Sequence, residues 1–213
     1  MKNVQTKNSV IAVLIIILYF VLPYLSSMFL NTNLANAIIS IIFAIAIIFI
    51  YRKSFVNDFK DFNKNKWKYV KSILLNVLII FAITIVTNLL LALIFDIRET
   101  SENDYSLRTM YKSSPIILFL LTAIYYPIVE GIVFRKTIKE VIDKKWLFII
   151  FSALFYFFFN VAYTSFTLNN ILSSLCYFFI MLVLSNYYWK TNNLTASILV
   201  ISISNIITYF IVM

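Results

Sequence analysis

The sequence contains no histidine, one cysteine and one glycine among its 213 residues. Without histidine, the chain lacks both the usual general base at neutral pH and the commonest metal ligand in proteins. The single cysteine, Cys176, lies in an apolar stretch, which favours a packing role. These absences exclude histidine-based catalysis and an intrachain disulfide.

Charged residues are also scarce. They make up 13% of the chain and hydrophobic residues 62%, against about 25% and about 45–50% in an average soluble domain. A transmembrane helix needs about 20 apolar residues, so the length allows seven or eight spans and no separate soluble domain. Runs such as 38–51 and 73–95 are apolar on every face, unlike the alternating strands of a transmembrane β-barrel. The composition predicts an all-α integral membrane protein.

Apolar windows predict a bundle of about seven transmembrane helices. The predicted spans are residues 9–30, 34–51, 70–95, 115–134, 146–166, 171–189 and 194–213. Residues 1–213 would then form a single integral membrane domain.

The distribution of lysine and arginine predicts the orientation of the chain. With a cytoplasmic N-terminus, all 18 basic residues lie on the cytoplasmic side except Arg98, Arg108 and Lys112. Such an excess follows the positive-inside rule, so we predict a cytoplasmic N-terminus and an external C-terminus. The net charge of +9 then indicates contact with anionic membrane lipids. Nucleic acid is not an expected partner, because the chain has no basic soluble module.

The segment 96–114 is the one long polar stretch on the predicted external side, and it carries both acidic and basic residues. Two interpretations of this segment stay open. It is either a solvated connector or an extracytoplasmic contact surface.

One acidic residue, Glu130, lies inside a predicted span. A charged residue at membrane depth is costly and therefore a functional hypothesis by default. Pro127 can kink the same helix, and Gly131, the only glycine, permits close approach of a neighbouring helix. The alternative is that Glu130 pairs with Arg135 or ends a span near the interface.

Three stretches, at residues 127–136, 152–160 and 196–205, follow one another in the order of a known set of motifs. They resemble the CPBP family, the intramembrane CAAX prenyl endopeptidases and bacteriocin-processing proteins also called Abi proteins, whose motifs read EExxxR, FxxxH and HxxxN. The matched positions are, in the same order, Glu130 with Arg135, Tyr156 with Asn160, and Ile201 with Asn205. The family-like core would cover about residues 115–213.

The departures from this pattern concern its catalytic positions. The resemblance implies a glutamate that activates water and histidines that hold the catalytic centre. Here the second glutamate is Gly131, and the two histidines are Asn160 and Ile201. Arg135 has lost the carboxylate one helical turn before it, so we expect its side chain to extend to the cytoplasmic face. None of the family-equivalent positions is expected to be catalytically active.

We expect neither a metal nor another cofactor. Zinc sites use three or four Cys, His or carboxylate ligands, and the membrane core offers one carboxylate and one thiol. Counting about 1.5 Å per residue from the helix ends puts Glu130, Asn160 and Asn205 at one level. We predict that they form a binding site or cluster in which an uncharged Glu130 is hydrogen-bonded to Asn160 or Asn205. The alternative is that the asparagines only join helices.

The leading hypothesis is a catalytically inactive CPBP-like protein of the bacterial cell membrane that acts by binding a membrane or envelope protein. The resemblance implies self-immunity to a bacteriocin or cell-wall hydrolase, or a scaffold for an envelope enzyme. An active CAAX-type endopeptidase with an atypical site is the alternative. A small transporter is a third hypothesis, which the absence of repeat symmetry disfavours. The bacterial assignment rests on the abundance of Ile, Lys, Asn and Phe.

Overall fold

In the part of the chain that the structure describes, every regular element is a helix. The computed structural model describes the backbone of residues 2–30, 33–97, 101–162 and 164–212, and the side chains of residues 8–25, 36–97, 101–162 and 164–211. Seven of its helical segments are long and apolar enough to cross a membrane. This number confirms the predicted fold class.

The helices are numbered in chain order. They are α1 Lys2–Leu30, α2 Asn33–Lys64, α3 Lys66–Phe95, α4 Glu102–Ser113, α5 Pro115–Val141, α6 Lys145–Ala162, α7 Leu168–Ser173, α8 Leu175–Thr191 and α9 Leu194–Val212. The helices α7 and α8 follow each other as one span, Leu168–Thr191, and α4 is the one helix of the set outside the spans.

Several helices end at other residues than the apolar windows predicted. The helix α2 continues to Lys64 and α5 to Val141, whereas the predicted spans ended at residues 51 and 134. Hydropathy falls where charged residues begin, but the backbone hydrogen bonds of a helix continue through them. Arg98 of the predicted external segment lies outside the described residues. Residue 213, the end of the last predicted span, lies outside them as well.

The polar segment between α3 and α5 contains the helix α4. Its N-cap is Ser101, whose side chain accepts a hydrogen bond from the backbone N–H of Asp104. Acidic residues in the first turn favour a helix N-terminus, and this turn carries Glu102 and Asp104. Pro115 ends the segment by opening α5, a position where proline fits because its missing N–H has no helical partner.

The helix α5 lies at the centre of the bundle. Its residues 131–135 are all buried, so neighbouring helices surround it on every face at this level. The helices that contact α5 include α1, α2, α6 and α9, and Met181 of α8 lies beside Arg135. The position of α5 explains why its polar side chains have to find partners inside the protein.

Two π-helical segments interrupt α5, at Leu121–Tyr125 and Ile132–Thr137. Pro127 explains the first segment, because proline has no N–H to donate to the preceding turn. The N–H of Tyr126 instead bonds to the carbonyl of Leu121, five residues back. Short π segments are frequent at functional sites, and Glu130 lies between the two.

The connections α2–α3, α5–α6 and α8–α9 meet at one end of the bundle. Asp58 there accepts the backbone N–H of Leu194 at 2.8 Å, and Lys139 Nζ donates to Asn192 Oδ1 at 2.9 Å. We name this end the basic end, and α4 lies at the opposite end. The charge count grouped the same connections on one side of the membrane. Their assignment to the cytoplasm stays a prediction.

Candidate functional site

The carboxyl group of Glu130 lies among aromatic side chains at the centre of the bundle. It accepts a hydrogen bond from the hydroxyl of Tyr156 on α6. Tyr19 of α1 interacts electrostatically with the same carboxyl group. The Tyr19 ring packs 5.5 Å from the ring of Phe134 and 4.6 Å from that of Phe159, measured between centroids. Three helices therefore contribute to the surroundings of Glu130.

Tyr156 is the functional candidate that sequence reasoning missed. It occupies the Phe position of the second motif, and no role followed from that match. Its hydroxyl adds a hydrogen-bond donor that phenylalanine lacks. The feature of the sequence that could have identified Tyr156 is its spacing from Asn160, because residues four apart lie on one face of a helix.

Asn160, at the first histidine position, has hydrogen-bond partners other than the predicted Glu130. Its Nδ2 donates to the backbone carbonyl of Tyr156 at 2.8 Å, within α6. Its Oδ1 accepts from Nδ2 of Asn103 at 3.3 Å. Asn103 belongs to α4, so a helix outside the spans reaches a family-equivalent position. Tyr156, one turn before Asn160 on the same helix, donates to Glu130 in place of the predicted asparagine.

The contact between α4 and Asn160 is part of a larger group of hydrogen bonds. Asn103 Nδ2 also donates to the Tyr177 hydroxyl at 2.9 Å, and that hydroxyl donates to Asp104 Oδ1 at 2.7 Å. The backbone N–H of Glu102 donates to Asn170 Oδ1 at 3.1 Å. We name this group the α4 network, and its members are Glu102, Asn103, Asp104, Asn160, Asn170 and Tyr177. It attaches α4 to α6, α7 and α8.

The third motif contributes to helix packing. Asn205 donates from Nδ2 to the backbone carbonyl of Thr122 at 2.8 Å. Thr122 lies in the first π segment of α5, where neighbouring side chains satisfy backbone groups that an irregular turn leaves free. Ile201, at the second histidine position, is buried in the core. The predicted bond between Asn205 and Glu130 is therefore replaced by a bond to the backbone of α5.

Arg135 points into the protein, so its predicted extension to the membrane surface is wrong. The side chain is only 1% exposed. Its Nη1 lies 4.0 Å from the Met181 sulfur, and its Nε and Nη2 have no hydrogen-bond partner among the described residues. A π turn brings residues five apart onto one face, and Arg135 follows Glu130 by five. The two side chains interact electrostatically.

The absence of a side chain at Gly131 determines where the guanidinium lies. A Cβ atom at this position would be 2.8 Å from Arg135 Nη2 and 2.8 Å from Cγ1 of Ile198 on α9. Gly131 therefore permits the close approach of a neighbouring helix, as the sequence predicted. The guanidinium lies where the side chain of the family's second glutamate would begin.

The residues at the family-equivalent positions do not fit a zinc centre. A catalytic zinc site uses three protein ligands. The second glutamate and the two histidines of the family are Gly131, Asn160 and Ile201 here. Glu130 alone supplies a carboxylate, and that carboxylate already accepts the Tyr156 hydroxyl.

The fold and the site define a multi-pass helical membrane protein whose central helix carries a carboxyl group at the bundle centre. Residues 112–207 match the family described as type II CAAX prenyl endopeptidase Rce1-like. This match covers less than half of the chain and confirms its resemblance to the CPBP family. It begins in α4, ends in α9 and includes all the family-equivalent positions. No curated protein and no solved structure matches the chain significantly.

Proposed function

We propose that this protein is a catalytically inactive relative of the CAAX proteases that acts by binding. The hydrogen bonding of Asn160 carries the proposal. This residue stands where the family has a histidine, and both polar groups of its amide are engaged, with Asn103 and with the backbone of Tyr156. An asparagine amide is not a general base at neutral pH, and the buried Ile201 has no polar atom to offer.

Glu130 is the group that we propose for ligand recognition. A carboxyl group accepts hydrogen bonds in its protonated form as well, and the Tyr156 hydroxyl supplies one of them. The remaining lone pairs can accept N–H or O–H donors from another molecule. Because the site lies inside a transmembrane bundle, a partner peptide or helix within the membrane fits this chemistry best.

The proposed partner is a protein of the membrane or of the cell envelope. The family resemblance supports two roles. One is self-immunity to a bacteriocin or a cell-wall hydrolase, and the other is a scaffold for an envelope enzyme. The composition supports a bacterial cell membrane as the location. Contacts with anionic lipids would anchor the basic end.

A complementation experiment tests the binding role of Glu130. The gene is deleted in its host, and sensitivity to the strain's own bacteriocin or wall hydrolase is measured with Glu130→Gln or Glu130→Leu restored. Glutamine keeps the shape and the acceptor for Tyr156, so we expect it to restore protection. Leucine leaves a buried hydroxyl unpaired, which costs about 1–3 kcal/mol, and we expect loss of both protection and the partner captured in mild detergent.

The matched control is Asp143→Asn, which removes an exposed carboxylate just beyond the same helix at the basic end. We expect it to restore protection fully. Membrane levels of all variants are measured in parallel. Loss of protection with Glu130→Gln at normal membrane levels would show that the charged or proton-transferring carboxylate is essential, and would contradict a binding role without catalysis.

A further inference from the structure

A groove lies on the surface of the bundle between α2, α5 and α9. Its volume is about 460 Å³, within the range of about 300–1,000 Å³ found for ligand sites. Apart from one lysine and one threonine, its lining is apolar. The lining residues are Phe55, Val56, Phe59, Lys60, Ile128, Thr195, Ile198 and Leu199.

The groove extends from the basic end to the depth of Glu130. Lys60 lies two residues after Asp58, whose carboxylate binds the backbone N–H of Leu194 at the start of α9. Ile128 lines the other side of the groove. It precedes Lys139 of the basic end by eleven residues along α5, so the two residues are separated by roughly 16 Å at the rise of an α-helix. Such a site has a charged mouth and an apolar interior.

Ile198 forms the wall between the groove and the site around Glu130. Its Cγ1 is one of the atoms that a Cβ at Gly131 would meet at 2.8 Å. The side chain is 8% exposed, so it closes the groove on its inner side. A molecule in the groove would therefore contact α9 without reaching the carboxyl group.

The surface around the mouth of the groove is positively charged. Residues 52–71 include seven lysines and arginines but two acidic residues, Asp58 and Asp61. Both aspartates have partners in the protein, since Asp58 accepts from Leu194 and Asp61 from Asn193 and Tyr69. Among the side chains that the structure describes, Lys60 forms no ion pair.

We propose that the groove binds an acyl chain of an anionic phospholipid, with the phosphate of its head group at Lys60. The apolar lining favours hydrocarbon over water. The excess of basic residues favours a head group with a net negative charge over a zwitterionic one. Lipid binding at this position does not depend on whether the site at Glu130 hydrolyses peptides.

Photocrosslinking in a defined bilayer tests this assignment. Phe59 is replaced by the photoreactive residue p-benzoylphenylalanine, and the protein is reconstituted in nanodiscs with equal amounts of phosphatidylglycerol and phosphatidylcholine. Mass spectrometry then measures the ratio of the two crosslinked lipids. One basic contact favours anionic lipid by about fivefold, and we expect that ratio at position 59.

The control position is Leu78 on α3, which is 66% exposed and lies outside the groove. There we expect the bulk ratio.

Two matched charge variants separate a site at Lys60 from general attraction to the basic end. Lys60→Gln and Lys64→Gln each remove one positive charge from α2, but Lys64 does not line the groove. We expect Lys60→Gln to abolish the preference for phosphatidylglycerol at position 59 and Lys64→Gln to retain it. Equal crosslinking of both lipids, equal effects of the two variants, or a crosslink to a second copy of the chain would overturn the proposal.

Discussion

Asn160 and Arg135 stand at two positions of the same family pattern, but the protein surrounds them differently. Both polar groups of the Asn160 amide have partners, one of which is supplied by Asn103 of α4. The guanidinium of Arg135 is as deeply buried as the core and interacts electrostatically with Glu130, yet its Nε and Nη2 have no hydrogen-bond partner among the described residues. The structure thus compensates for the missing histidine and not for the missing second glutamate.

This difference separates a region that stabilises the fold from a region that destabilises it. A satisfied hydrogen bond contributes about 0.5–1.5 kcal/mol, whereas a buried group without a partner costs about 1–3 kcal/mol, and more when it is charged. The α4 network therefore attaches α4 firmly to the bundle. The buried pair of Glu130 and Arg135 is the place where uncharged residues can increase the stability of the protein.

The largest expected effect comes from the double variant Glu130→Gln with Arg135→Met, which removes both charges of the buried pair. Glutamine keeps an acceptor for Tyr156, methionine fills the space beside Met181, and replacing a buried ion pair by uncharged groups can stabilise a protein by about 1–4 kcal/mol. We expect a higher midpoint of thermal unfolding in detergent. Arg135→Met alone serves as the control and should lower the midpoint, because removing one partner of a buried pair costs about 3–5 kcal/mol. A lower midpoint for the double variant would mean that the pair stabilises the protein, and the two regions would then not differ.

A smaller effect of opposite sign is expected in the α4 network. Tyr177→Phe removes the hydroxyl that joins Asn103 and Asp104, and the loss should cost about 1–3 kcal/mol. Denaturant unfolding in detergent measures it. Tyr105→Phe is the matched control, because Tyr105 lies on α4 and is 69% exposed, and its effect should stay below about 0.5 kcal/mol. Equal effects of the two variants would show that the network does not stabilise the protein.

The smallest effect concerns the pH dependence of Glu102 in the same network. Hydrogen bonds from the side chain and the backbone of Ser165 lower the pKa of Glu102 below its ordinary value of 4.5. A group whose pKa is lowered by folding adds stability above its unfolded pKa, and this stability is lost as the pH falls through the folded pKa.

The unfolding midpoint of wild type should therefore exceed that of Glu102→Gln at neutral pH. The difference should shrink as the pH falls below 4.5 and vanish in strong acid. Asp143→Asn, in the connection between α5 and α6 where Asp143 is exposed, controls for the general loss of a negative charge. A difference between wild type and Glu102→Gln that stays constant with pH would contradict the contribution of the charged carboxylate.

The number of spans followed from the sequence because each span contains an apolar window long enough to cross a membrane. Helix ends were less predictable, since residues 52–64 are polar but still continue α2. The helix α4 is an intermediate case. Its polar composition indicated a surface segment, but nothing in that composition indicated that Asn103 would reach Asn160.

The residues of the site were found by their chemistry, but their contacts were not. Glu130 stood out as a carboxylate inside a span, and Gly131 as the only glycine. The direction of Arg135 depends on the π segment at Ile132–Thr137, which has no signature in composition or in hydropathy. The role of Tyr156 depends on which face of α6 packs against α5, a tertiary property that one sequence does not encode locally.

Peptide cleavage by the purified protein is the most direct test of catalytic inactivity. The protein in detergent is incubated with a prenylated CAAX peptide and with a bacteriocin leader peptide, with and without added Zn²⁺, and products are measured by mass spectrometry. Glu130→Ala is treated in the same way. We predict no cleavage above the background of Glu130→Ala under any of these conditions. Cleavage by the wild-type protein that Glu130→Ala abolishes would show that the remaining carboxylate still catalyses hydrolysis, and would contradict a role by binding alone.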